Sequence, residues 1–287
     1  MEFKTINPAT EEVIAHYHSL SEIAVEEKLR ASFKAFLSWR HVEHRDRRTC
    51  LSKLALLLKK QKHQLAELIT QEMGKPISQA EAEIEKCAWL CTHYSNNAEN
   101  YLSAQIVKTE MQKTMVLYQP LGVVFAIMPW NFPFWQVFRS AVPALMAGNS
   151  FLLKHAPISI GAGIAIEKIF MEAGFPEYLL QHLVLDNDQA MSLLGHELVA
   201  GLSFTGSEQV GRRLAAIAGA HLKKMVLELG GSDPYVVLAD ADLTIAAQAI
   251  VQSRLNNCGQ VCIAAKRAIV HRAVAKDLLE KIVLMFL

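Results

Sequence analysis

The chain is short of cysteine. It has five, an odd number with no framework spacing, so no disulfide scaffold can be read from it. A reduced, cytoplasmic setting fits that usage. Excess charge of either sign is also missing: 29 Lys and Arg face 28 Asp and Glu, for a net charge of +1. That balance gives no electrostatic reason to expect nucleic acid or an anionic membrane as a partner. No apolar run reaches the length of a membrane span. The longest candidate, 132–153, is interrupted by Gln136, Arg139 and Asn149. The first eight residues hold no apolar signal core, so nothing points to secretion. There is no internal repeat and no low-complexity segment. What the chain does have is core-forming material, 52% hydrophobic over 287 residues, enough for one large domain or two ordinary ones.

Residues 1–20 read as short extended pieces with a turn at Asn7-Pro8. Helical spacing begins after a capping Ser21, with Ile23, Leu29, Phe33, Phe36 and Leu37. A second helix is expected over 47–73, stopped by Gly74 and Pro76, and a third over 78–102. Cys87, Cys91 and His93 on that third helix invite a metal reading, but no further ligands fall at a recognisable spacing. A buried helix face explains the two cysteines better. Residues 105–120 alternate loosely and suggest a hairpin or a connecting arm. From Gly122 the texture changes to short apolar runs at 122–128, 150–153, 180–185, 199–204 and 225–229. Helical stretches at 134–146, 158–173, 189–194 and 208–220 separate them. Strand-helix alternation of this kind predicts an α/β fold with a doubly wound parallel sheet. A domain crossing is expected after Gly230-Gly231, followed by a strand at 235–238, a helix at 243–255, a strand at 268–271 and a helix at 274–287.

In an open parallel sheet, ligands bind beyond the carboxyl ends of the strands. Trp130 and Asn131 follow the first strand, and Lys154 and His155 follow the second. Thr205, Gly206 and Ser207 follow the fourth, with Gly211 a turn later. Glu228 and Leu229 close the fifth. Each has a plain explanation alone: Asn131 can cap a helix, Lys154 can be solvated, and Glu228 can pair with a surface lysine. The glycine-serine turn can present backbone N–H groups to a phosphate, or simply cap a helix. One further stretch stands out, 256–262, which reads Asn-Asn-Cys-Gly-Gln-Val-Cys between two apolar runs, the second spanning 263–270. Cys262 there is either a small buried hydrophobe or a nucleophile held in a turn between two buried elements.

Several motifs together resemble the aldehyde dehydrogenase superfamily. They are Trp130-Asn131-Phe132-Pro133, Phe204-Thr205-Gly206-Ser207, Glu228-Leu229-Gly230-Gly231 and Asn257-x-Gly259-Gln260-x-Cys262. Asn7-Pro8-Ala9-Thr10 and Glu72-Met73-Gly74-Lys75-Pro76 extend the likeness over nearly the whole chain. Leu153-Lys154-His155-Ala156-Pro157 and Gly230-Gly231-Ser232-Asp233-Pro234 resemble most the short bacterial succinate-semialdehyde dehydrogenases. The resemblance implies NAD or NADP as cofactor and oxidation of an aldehyde, such as succinate semialdehyde, to its acid. It implies Cys262 as nucleophile, Glu228 as general base and Asn131 as oxyanion donor, the three converging on one pocket. Trp130, Asn131, Lys154, Pro157, Gly206, Ser207 and Leu229 would then line the cofactor site. Arg139 would meet a substrate carboxylate, its planar fork matching that group. Its alternative is a surface ion pair, and Asn256 stands where some relatives place a second arginine. Pro157 stands where many NAD-preferring relatives carry a glutamate for the ribose hydroxyls, so a 2′-phosphate would not be repelled. No metal is implied.

The same resemblance divides the chain into a helical part at 1–104, an oligomerisation arm at 105–120, a dinucleotide-binding domain at 121–231 and a partial catalytic domain at 232–287. Family members continue well past Leu287, so a C-terminally truncated product is the expectation, with apolar surface left uncovered. A homo-oligomer belongs to the family pattern, but the strand that would meet the arm in a partner subunit lies in the part beyond Leu287. Three functions therefore stay open. They are an aldehyde-oxidising enzyme, an inactive remnant that at most binds nucleotide or a related subunit, and a cysteine hydrolase using the thioester step alone.

Overall fold

The computed structural model describes residues 1–286. Its opening residues pair as an antiparallel hairpin of β1 (Glu2–Ile6) and β2 (Val13–His18). Helix α1 (Glu22–Trp39) starts where the Ser21 side chain accepts the Ala24 amide at 3.2 Å. The single helix expected over 47–73 is two: α2 (His44–Lys60) and α3 (Lys62–Met73), parted at Gln61, whose φ of −98° and ψ of 11° leave the helical region. The leucine spacing runs on through residue 61, so the apolar pattern hides a break made by the backbone. Both pieces bury one stripe, Leu51, Leu54 and Leu58 on α2 and Leu65, Ile69 and Met73 on α3. Gly74 ends α3 in the left-handed region at φ 74°. Helix α4 (Ile77–Tyr101) then buries Ala80, Ile84, Cys87 and Cys91 along one face. Both cysteines are core residues, and burial pushes both thiols well up from the ordinary value. Strands β3 (Gln105–Val107) and β4 (Thr114–Val116) form an antiparallel pair within the expected arm.

The rest of this unit alternates strand and helix in chain order: β5 (Val123–Met128), α5 (Trp135–Met146), β6 (Ser150–His155), α6 (Ile160–Glu172), β7 (Leu180–His182), α7 (Asn187–Gly195), β8 (Val199–Gly206), α8 (Glu208–Ala220) and β9 (Lys224–Leu229). The strands order as β7-β6-β5-β8-β9, with β5 parallel to both β6 and β8, and β6 parallel to β7. The chain thus winds outward from β5 one way, returns, and winds the other way from β8. Right-handed crossovers put α5 and α6 on one face and α7 and α8 on the other. The strand expected over 180–185 is shorter, ending at His182, and Asp186 and Gln189 form a reciprocal cap for α7. Ala126, Met128, Phe151 and Leu153 face a core shared with α2 to α6, where Phe138 packs against Phe170 with ring centroids 5.3 Å apart.

Three buried charged side chains tie helix ends to this core. Arg47 donates to the carbonyls of Met146 at 2.9 Å and Trp39 at 2.9 Å. Glu72 accepts the amides of Gly161 at 2.8 Å and Ala162 at 2.9 Å, capping α6 from α3. Glycine at 161 leaves room for that carboxylate, since a Cβ there would lie 2.6 Å from its oxygen and force it to shift. Glu83 accepts the amides of Phe134 and Trp135, each at 2.9 Å, and takes a charge-assisted bond from the buried ammonium of Lys75.

The chain falls into two compact units, Met1–Glu228 and Leu229–Leu287. The division thus comes a few residues before the crossing expected after Gly231. In the second unit β10 (Pro234–Val237) pairs in parallel with β11 (Arg267–Val270). Helix α9 (Leu243–Leu255) is capped by Asp242 and packs with α10 (Ala275–Phe286) around Val237, Ala247, Ile250 and Leu278. The outer side of α10 leaves Leu279, Val283 and Leu284 exposed.

Removing one partner of a buried pair strands the other charge, so Lys75→Met is expected to cost about 3 kcal/mol, read as a lower urea midpoint. Burial raises the Glu72 carboxyl to about 7 from 4.5. Between those values the folded chain holds a proton that the unfolded chain has released. Stability is then greatest at the acid end of this window and falls as pH rises through it. Glu72→Gln should flatten that fall by about 1–3 kcal/mol between about pH 5 and about pH 8, measured by urea denaturation at each pH.

Candidate active site

The strand order reverses between β5 and β8, and the crevice beyond their carboxyl ends is where a parallel sheet takes a ligand. Register fixes what collects there. Met128 pairs with His155, and Ile127 pairs with both Lys154 and Phe204, so the ends of β6 and β8 stand level with the start of the loop after β5. Trp130 and Asn131 lie half-buried on that loop.

The loop is held from three sides. His155 Nδ1 accepts the Ala156 amide at 2.9 Å, so the ring proton sits on Nε2, which donates to the Pro133 carbonyl at 2.8 Å. Burial pushes this histidine down to about 4, so the ring is neutral. The Lys75 ammonium lies 3.8 Å from the centre of the Phe132 ring. Glu83 takes the amides of Phe134 and Trp135 where α5 starts, the place where a capping Asn131 would have been expected to act. The chain just after Asn131 is thus fixed by buried groups. Nothing in the loop itself announced Lys75 or Glu83; only their burial on α4 and the turn before it shows the link.

At the end of β6, Lys154 is buried, so the solvated-lysine reading is set aside. Burial lowers its pKa. It borders a cavity of about 90 Å³ together with Asn187, Ala190 and Met191 of α7 and Val210, Arg213 and Leu214 of α8. Each helix contributes positions at i, i+3 and i+4. That spacing was visible in sequence, but its facing partner was not. Pro157 stands exposed just beyond, opening a single 3-10 turn, Pro157–Ser159, that leads into α6. At the end of β8, Gly206 leads to Ser207, whose hydroxyl caps α8 by accepting the Val210 amide at 3.4 Å. The N-terminus of α8 therefore opens toward the same edge, with its dipole suited to an anion.

Glu228 closes β9 and is exposed, with half-buried Leu229 after it. Its ion partner is not a lysine but Arg139 of α5, at 3.4 Å. The same Arg139 nitrogen lies 3.5 Å from the Thr205 hydroxyl. Both side chains border a groove of about 590 Å³ that also holds Trp135, Ser140, Pro143 and Lys224. The ion-pair alternative for Arg139 and its position on a substrate-sized groove are thus found together.

The second unit carries the cysteine turn. Asn257, Cys258 and Gly259 are all left-handed, at φ 49°, 54° and 79°. Two non-glycine residues in succession there store backbone strain, which is uncommon outside functional turns. A Cβ at Gly259 would lie a tight 3.1 Å from the Arg254 carbonyl, and its φ of 79° favours glycine in any case. Asn257 is fully buried and its carbonyl accepts the Gln260 amide at 2.9 Å. Cys262 is half-buried, Cys258 is exposed, and the Cys262 carbonyl accepts from Lys266 at 3.0 Å. The apolar run expected at 263–270 is not a buried element: Ile263 is 66% exposed and β11 is largely exposed, with only Ala264 buried. Lys266 and Arg267 interrupt it, and their side chains reach the carbonyls of Gly231 and Ser232 instead.

A Synechocystis protein described as a probable NADP(+) succinate-semialdehyde dehydrogenase is 45% identical over 286 residues, covering all of this chain and 63% of its own length. An Escherichia coli succinate semialdehyde dehydrogenase, NAD(P)+, is 42% identical and is covered over 60% of its length. The chain therefore spans about three fifths of the length of the curated relatives it matches. The crystal structure of succinic semialdehyde dehydrogenase from Streptococcus pyogenes with NADP+ superposes at a TM-score of 0.96 and 32% identity, over 99% of this chain and 63% of that one. The family model for the aldehyde dehydrogenase family matches residues 1–285, and this chain belongs to that family.

Proposed function

We propose that this chain serves NAD(P)-dependent oxidation of an aldehyde bearing a carboxylate, of the succinate-semialdehyde type, to the corresponding acid. The observation that carries the reading is the single sheet edge where Asn131, Lys154, the Gly206-Ser207 turn and Glu228 lie at or just past the ends of four strands, in a member of this family. The residues present fit a dinucleotide. A buried ammonium borders a partly open cavity lined by α7 and α8, and the α8 N-terminus faces the same edge. Lys154, Pro157, Gly206 and Ser207 would hold it, with Trp130 and Leu229 beside them. When bound, it supplies the acceptor for the aldehyde hydride.

In this reading Cys262 adds as thiolate to the aldehyde carbon. The Asn131 amide and the Cys262 backbone N–H hold the oxyanion, and one such donor is worth roughly 3 to 4 kcal/mol. The adduct becomes a thioester, and Glu228 takes a proton from the water that hydrolyses it. Arg139 orients the substrate's distal carboxylate. A second reading is a chain that binds dinucleotide without turnover, and the assay below separates the two. The domain reading carries over as a proposal: a nucleotide-binding part up to about Gly231 and a thiol-bearing part after it.

Purified protein with succinate semialdehyde and NADP should form NADPH. Cys262→Ser should abolish this while leaving dinucleotide binding intact. Binding by the unsubstituted chain with no turnover would favour the second reading, and ester hydrolysis without dinucleotide would favour a hydrolase. Because Pro157 offers no carboxylate to repel a 2′-phosphate, kcat/KM for NADP should at least approach that for NAD. An NAD preference of several hundred-fold would refute that assignment.

A further inference from the structure

The Arg139–Glu228 contact does more than place two side chains on one groove. Arg139 has five N–H donors, yet a single nitrogen reaches both Glu228, at 3.4 Å, and Thr205, at 3.5 Å. Both distances lie beyond the usual hydrogen-bond range, and the side chains of Arg139 and Glu228 are partly exposed, 30% and 49%. The pair is therefore weak and readily exchanged. The other guanidinium donors form a planar fork that a carboxylate can take up with two bonds. Lys224, the other cation of the groove, sits four residues before Glu228 on the same strand face, too far along β9 to pair with it.

We infer that Glu228 occupies Arg139 as an internal stand-in for a substrate carboxylate, and that a carboxylate-bearing substrate displaces it. The inference rests on the reading of Arg139 and Glu228 given above. It adds that the two roles are coupled through one ion pair. The exchange makes and breaks no covalent bond. The incoming anion takes the guanidinium, and Glu228 is left as a carboxylate without that ion partner, free to accept a proton from water. An aldehyde with no carboxylate leaves Glu228 on Arg139. Selectivity for acid-bearing aldehydes would then be expressed in hydrolysis of the thioester as well as in binding.

The test is a binding titration that needs no turnover. Butyrate, which carries the distal carboxylate without the aldehyde, is titrated into the full chain while the Trp135 indole N–H signal is followed by NMR. Butyramide is the neutral control, and Trp135→Phe assigns the signal. Glu228→Gln should tighten butyrate binding by about fivefold and leave butyramide unchanged. In an Arg139→Gln background the same change should have no effect, because the competitor has lost its site. Equal tightening in both backgrounds would mean only that a negative charge had been removed, and would overturn the exchange. So would no tightening, or no butyrate binding to either form. Aldehyde oxidation is scored separately, so a failed exchange leaves the enzyme reading standing, and a chain without turnover can still show the exchange.

Discussion

A single buried carboxylate does the most to organise this molecule. Glu83 projects from α4, satisfies the amides of Phe134 and Trp135 where α5 starts, and is itself neutralised by the Lys75 ammonium. The arrangement meets three demands at once. The buried N-terminal end of α5 receives an anion, the buried anion receives a cation, and the helical layer is locked to the sheet layer. The loop that precedes α5 carries Trp130 and Asn131, so their backbone inherits the rigidity of the core rather than the freedom of a surface connection. The Lys75–Phe132 contact and the His155–Pro133 hydrogen bond pin the same loop from two other elements.

The second organising feature is the parallel register of β5, β6 and β8. A one-residue slip would turn Lys154 from the α7–α8 side to the α5–α6 side. It would also bring a core residue to the cavity wall. The buried faces forbid such a slip, so the strand ends deliver their polar residues to one edge. Burial then sets their chemistry. Lys154 and His155 are neighbours in sequence and point to opposite faces. Desolvation lowers the pKa of both, yet His155 is a neutral strut while Lys154 borders a cavity.

Much of this was legible in the residues. Strand-helix alternation after Gly122 pointed to the doubly wound sheet because apolar runs bounded by glycine and helical stripes have distinct periods. Ser21 and Gly74 begin and end helices for reasons visible in their own chemistry. The break at Gln61 was not legible, because the leucine stripe runs through it. The exposure of 263–270 is hidden by its aliphatic content, because Lys266 and Arg267 are the only signs that the run does not enter a core. The plain alternative for Glu228, a surface lysine, names the wrong cation, since which cation stands opposite depends on the placement of α5 against β9.

The sequence by itself determined the periodicities, the turn chemistry and the set of reactive side chains, because those depend on neighbours a few positions apart. It also carried the motifs by which the family is known. Tertiary structure alone decided which charges are buried and what they face: Glu83 on the α5 amides, Lys154 on the α7–α8 cavity, Arg139 against Glu228. Those are contacts between residues far apart in the chain. Their energies come from desolvation and pairing, which no local pattern encodes.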